Sequence, residues 1–119
     1  MRLVVIESPY EGEVTANVAY ARKCMKDCLN RKEAPFASHL LYTQQGILND
    51  AVFDERQQGI QAGFAWREFA DVVAFYLDRG VSGGMRYAFR TAMEYGLKIE
   101  FRCLDRDVAM GDLLELING

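Results

Sequence analysis

The sequence predicts an α/β fold, a Rossmann-like (flavodoxin-like) parallel sheet of about four strands with helices on both faces. Three observations carry this. Segments rich in β-branched residues alternate with segments of helical periodicity, and such chains fold through right-handed crossovers into parallel sheets. The run Val72-Val73-Ala74-Phe75-Tyr76-Leu77 has no polar interruption, as a strand covered on both faces requires. It is followed by Asp78-Arg79-Gly80-Val81-Ser82-Gly83-Gly84, which supplies turn chemistry and a helix N-cap at Ser82. Met85, Ala88, Phe89, Ala92 and Met93 then recur at one-face helical spacing.

The other elements follow in order. Arg2–Ser8 is a first strand rich in β-branched residues. Pro9, Glu11, Gly12 and Glu13 form a loop, and Val14–Arg31 is a helix with Val14, Val18, Ala21, Met25, Cys28 and Leu29 on its buried face. Arg31-Lys32-Glu33 reads as a charged turn and Ala34–Ser38 as a short strand, whose Pro35 fits an edge or the first positions. His39–Phe53 is a loop with room for one helical turn. Asp54–Phe69 is a second helix with Asp54 as N-cap and Ile60, Phe64 and either Ala65 or Trp66 facing inward. Leu97–Leu104 alternates apolar and polar residues, so it is a strand with one face partly exposed. Met110, Leu113, Leu114 and Ile117 mark a short final helix. A doubly wound order 2-1-3-4 places a crevice at the carboxyl ends of strands one and three, where Ser8–Glu13, Asp78–Gly84 and the loop from His39 converge.

With 119 residues the chain suits one domain, residues 1–119. A net charge of −3 disfavours binding to a DNA or RNA backbone. The run Leu3–Ile6 is too short for a signal or a membrane span, so the expected location is the cytoplasm. Cys24, Cys28 and Cys103 with one histidine, His39, are too few ligands for a convincing zinc site. Reduced thiols and no metal or cofactor are expected.

The combination of IESPY after the first strand, Asn17 and Arg22 on the first helix, APFASHLLYTQ, DER at the second helix and DRGVSGGM resembles small bacterial and phage proteins of the nucleoside 2-deoxyribosyltransferase-like superfamily. The resemblance runs from about Val4 to Leu104. It implies a Rossmann-like fold and cleavage or exchange of the N-glycosidic bond of nucleosides or their monophosphates. The implied nucleophile is a glutamate early in the helix after the glycine loop. The resemblance also implies that the loop Ser8, Pro9, Tyr10, together with Asn17 of the first helix, contacts sugar and base. His39 shapes the pocket, and Ser82, Gly83, Gly84 and Met85 hold a phosphate at the helix start, with Arg86 pairing to it.

This sequence departs from that pattern. No carboxylate lies between Arg79 and Ala92, and Glu94 is nearly three turns into the helix, about 15 Å from its start. A carboxylate stabilises an oxocarbenium-like centre and can form a covalent intermediate, whereas arginine does neither. The first expectation is therefore a protein that binds a nucleotide, nucleoside or related phosphorylated small molecule without glutamate-dependent glycosyl transfer. The second is a divergent N-glycosidase or deoxyribosyltransferase with Asp78, at the end of the third strand, or Glu7 as its acid. Glu11 is the other nearby carboxylate and reads as solvated. The third is an oligomeric structural or interaction protein. A homo-oligomer is expected, with Gly59, Gly63, Phe64 and Trp66 packing across a two-fold axis.

Overall fold

Four parallel strands form the sheet in the order β2-β1-β3-β4, in a computed structural model that describes residues 1–118. The strands are β1 (Arg2–Glu7), β2 (Glu33–Phe36), β3 (Val72–Tyr76) and β4 (Ile99–Arg102). The helices are α1 (Val14–Asn30), α2 (Ser38–Leu41), α3 (Phe53–Arg67), α4 (Gly83–Glu94) and α5 (Met110–Asn118). The order of the sheet is the one the alternation of elements predicts. β1 lies between β2 and β3, with Val4 opposite Val72 and Leu3 opposite Ala34.

All five β3 residues are buried because each face of the strand is covered. Val72, Ala74 and Tyr76 meet Tyr20, Cys24 and Cys28 of α1 on one face. Val73, Phe75 and Leu77 meet Met85, Ala88 and Phe89 of α4 and Leu116 of α5 on the other. The same two-residue alternation places Val4 and Ile6 of β1 in the α1 core, so Val5 and Glu7 point to the opposite face. α4 begins as expected: Ser82 has extended backbone, and its Oγ accepts from the Met85 N–H at 3.2 Å.

Several expectations are corrected. α1 is rolled relative to the predicted face: Asn17, Tyr20, Ala21, Cys24 and Cys28 are buried, while Val14 and Leu29 are exposed. Glu33 is not a turn residue but opens β2, buried. Its carboxylate takes two hydrogen bonds from Arg102, at 2.8 and 2.9 Å. α3 starts one residue earlier than expected, with Val52 as its N-cap, and Asp54 lies in the first turn, where its charge suits the helix dipole. Neither Ala65 nor Trp66 faces inward; Arg67 is the buried residue there. Trp66 lies at the core edge, its indole N–H donating to the Tyr42 hydroxyl at 3.0 Å and its ring tilted against Phe36. In α5, Leu116 is the buried anchor and Leu113 packs beside it; Met110, Leu114 and Ile117 are exposed.

Gly59 and Gly63 do admit a close neighbour, but it belongs to the same chain. A Cβ at Gly63 would meet Cβ and Oγ of Ser38 at 2.7 Å, and one at Gly59 would meet Leu48 at 3.3 Å. These glycines let α2 and its following loop lie down on α3, so they are not free for a two-fold contact. Gly63→Ala gains up to about 1 kcal/mol in helix propensity. The overpacking against Ser38 costs about 1–3 kcal/mol, because the contact includes the stiff Cβ of α2. The expected outcome of urea denaturation is a net loss of about 1 kcal/mol.

Candidate functional site

A cavity opens at the carboxyl edge of the sheet, between α2, α3 and the N-terminal half of α4. Its volume is about 110 Å³, and it continues into a broader surface groove bordered by Tyr10, Glu11, Thr43, Leu48 and Asp50. Every strand that feeds it ends there, as the strand order requires.

Ser8, Tyr10, His39, Ser82, Gly84 and Met85, singled out in the sequence, all line it. They come from the loop after β1, from α2 and from the start of α4. Ser8 Oγ lies 2.7 Å from His39 Nε2 and ties β1 to α2. Burial pushes His39 down to about 4, so the imidazole is neutral at pH 7.

The other expected site residues are not on the cavity wall. Pro9 is buried and Gly83 is exposed, and neither lines the cavity. Asn17 is buried, donates to the carbonyls of Tyr10 and Glu11 at 3.0 Å and accepts from Arg79, so it shapes the loop from behind. Arg86 turns away from the cavity, and its Nε–H donates to the Glu115 carbonyl on α5. Asp78, expected as the acid, is committed elsewhere. Its carboxylate accepts from the Tyr20 hydroxyl at 2.6 Å and from the N–H groups of Leu104 and Asp105. Burial raises its pKa, but these hydrogen bonds outweigh burial and hold the group below its ordinary value. Asp78 is therefore an ionised loop clamp, not a proton donor to the cavity.

Glu7 is the carboxyl that reaches the cavity. It is the last residue of β1, half-buried, and its parity turns it toward α3 and α4. Among the described residues no side chain or backbone group hydrogen-bonds or ion-pairs with it. Burial pushes it up to about 7, and the Arg67 charge offsets only part of that. The Arg67 guanidinium instead lies on the Phe64 ring and donates to the Ala88 carbonyl and the Thr91 hydroxyl.

The walls also contain residues that were not singled out as ligand contacts: Tyr42, Leu48, Ile60, Phe64 and Tyr87. Phe64 and Tyr87 stack with centroids 5.7 Å apart, across the α3–α4 seam. Four carboxyl groups line the cavity (Glu7, Glu11, Asp50 and Glu55) against one cation, Arg56. Arg56 is held by Glu11 in a two-point ion pair, at 2.6 and 2.9 Å. Such a site holds an uncharged polar molecule with flat apolar faces better than it holds an anion.

A family model described as a domain of unknown function (DUF7768) matches residues 2–102. No curated protein sequence matches the chain. Among solved structures, a 2-deoxyribosyltransferase from the psychrotolerant bacterium Bacillus psychrosaccharolyticus, described as a biocatalyst for nucleoside synthesis, is similar with a TM-score of 0.61 and 13% identity. The match covers 95% of this chain and 81% of that one. It shows that the two share a Rossmann-like fold. No helix among the described residues is long and apolar enough to cross a membrane.

Proposed function

The chain belongs to the family described as a domain of unknown function (DUF7768), a membership that brings no activity with it, and we propose from the site itself that it binds a nucleoside or a closely related uncharged molecule at the carboxyl edge of its sheet. The observation that carries this reading is the cavity's lining. Aromatic and apolar side chains from α3, α4 and the segment after α2 line it together with Glu7 and Ser8 at the end of β1 and His39 of α2. That is the arrangement small-ligand sites use at the switch point of an open α/β sheet. The likeness in fold to a deoxyribosyltransferase supports a nucleoside as the ligand class.

The phosphate expected from the glycine loop is dropped. Arg86 is directed to α5, Arg56 is neutralised by Glu11, and His39 is uncharged, so no free cation lines the cavity among the described residues. α4 presents its first turn there, but Asp50 and Glu55 line the same cavity with no cation against them among the described residues, since Arg56 and Glu11 cancel each other.

Glycosyl transfer through a helix glutamate is not part of the reading. α4 carries Glu94 only at its last position, exposed and away from the cavity. A cleavage activity would have to draw on the carboxyl groups of the cavity, Glu7, Glu11, Asp50 and Glu55, and the same experiment detects it. In a thermal-shift panel of nucleosides and their monophosphates, a nucleoside at about 100 times its Kd adds about 2.7 kcal/mol, a rise of several degrees. The expected result is a shift with nucleosides that exceeds the shift with monophosphates, and intact ligand on subsequent HPLC. Free base on HPLC would make the protein a glycosidase. A larger shift with monophosphates, or none with any ligand, would overturn the reading.

A further inference from the structure

We propose that Glu7 reads the base of the bound nucleoside as a protonated carboxyl, pairing its O–H and C=O with an amidine edge, an amino N–H beside a ring-nitrogen acceptor, as in adenine and cytosine. The inference rests on the nucleoside reading above and names the base class that the site selects.

The Glu7 carboxyl shares its cavity with apolar and aromatic side chains. Glu7 ends β1 opposite Phe75 of β3, which offers it no polar group. α3 contributes Ile60 and Phe64, and α4 contributes Met85, Tyr87 and Ala88. A flat ring entering the cavity packs its faces against Ile60, Met85, Ala88 and the edge of the Phe64–Tyr87 stack and turns its own edge to Glu7. Bases held outside a duplex are read by this combination of face contacts and edge hydrogen bonds.

The charged and titratable groups around it leave Glu7 available. Arg67 of α3 is held by the Phe64 ring, the Ala88 carbonyl and Thr91. Tyr87 of α4 stacks on Phe64. His39 of α2 is neutral and paired to Ser8. On the loop after β1, Glu11 is tied to Arg56 of α3, and Tyr10 meets His39 edge-on. Glu55 of α3 accepts from the Asn49 N–H, and Asp50 lies in the adjoining loop. None of these hydrogen-bonds to Glu7, which leaves its carboxyl free to pair with a ligand.

The protonation state decides which edge fits. A neutral carboxyl has one donor and one acceptor side by side and matches an amidine edge. An ionised carboxylate has acceptors only and matches two adjacent N–H groups, as on guanine. The apolar setting favours the neutral form, in line with a carboxyl that titrates near 7.

Calorimetric titrations with adenosine, cytidine, guanosine and uridine at pH 6 and pH 8.5 test this on the full chain and on Glu7→Gln. Glutamine keeps one donor and one acceptor but does not titrate. The protonated fraction of a carboxyl that titrates near 7 falls roughly 30-fold between those pH values. The expected result is binding of adenosine or cytidine that weakens roughly 30-fold at pH 8.5 in the native protein and stays flat in Glu7→Gln. Preference for guanosine or uridine, or the same pH dependence in both proteins, overturns the proposal and leaves the nucleoside reading standing. No binding at either pH overturns both.

Discussion

Replacing Arg102 with methionine is expected to destabilise the fold by about 3–5 kcal/mol. Arg102 is 4% exposed, and its guanidinium joins β4 to β2 across the α1 face of the sheet. It donates to both oxygens of Glu33 at 2.8 and 2.9 Å, to Glu100 at 2.8 Å and to the Tyr76 hydroxyl at 3.2 Å. The Tyr76 hydroxyl in turn donates to Asp27 of α1 at 2.7 Å. Methionine fills a similar volume, so the loss comes from leaving Glu33 buried with only the outlying Arg2 contact, at 3.4 Å. Removing both charges, as Arg102→Met with Glu33→Leu, is expected to recover most of the loss, since an apolar pair needs no compensation. Chemical denaturation of the three proteins gives the answer. A single-variant loss under about 1 kcal/mol would show that the network contributes little.

Glu7→Gln is expected to stabilise the unliganded protein at alkaline pH. The Glu7 carboxyl titrates near 7 in the fold against an ordinary 4.5, so the folded state binds the extra proton. Its contribution is fully favourable below 4.5, where both states are protonated. It is lost as pH rises through about 7, where the folded state must accept the buried charge. At about 1.4 kcal/mol per pH unit the gap corresponds to roughly 3 kcal/mol. The variant should therefore match the native protein near pH 4.5 and exceed it by roughly that amount at pH 8, in urea titrations at each pH. Equal stabilities across the range would mean that water or a counter-charge already satisfies Glu7. A group that costs stability when empty and hydrogen-bonds when filled is typical of binding sites.

Much of the frame was legible because it depends on local rules. The unbroken run Val72–Leu77 reads as a doubly covered strand, and the loop from Asp78 to Gly84 marks both its end and the Ser82 cap. From the alternation of elements came the sheet order and the edge where loops converge. What was not legible depends on partners distant in sequence. Glu33 looks like a turn residue until Arg102, 69 positions away, is seen to neutralise it. Asp78 is nearer the glycine loop than Glu7 and so reads as the better acid, yet Tyr20 and the backbone after β4 claim it. α3 has no clear apolar stripe, because Gly63 faces α2 while Arg67 is buried against α4, so Ile60 and Phe64 read as inward residues but not as cavity walls. Strand parity was the available signal for Glu7, since Val4 and Ile6 on the α1 side leave Glu7 on the other.

Nucleoside binding in the crevice at the carboxyl ends of β1, β2 and β3 is the proposed function. Its most direct test is a titration of the isotopically labelled protein with adenosine, cytidine, guanosine and uridine in turn, followed by two-dimensional amide spectra. The account expects saturable shifts centred on Glu7, Ser8, His39, Ser82 and Gly84, with Glu94 and the exposed face of α5 unmoved. Saturable shifts confined to another surface, or spectra that do not change at millimolar nucleoside, would contradict it.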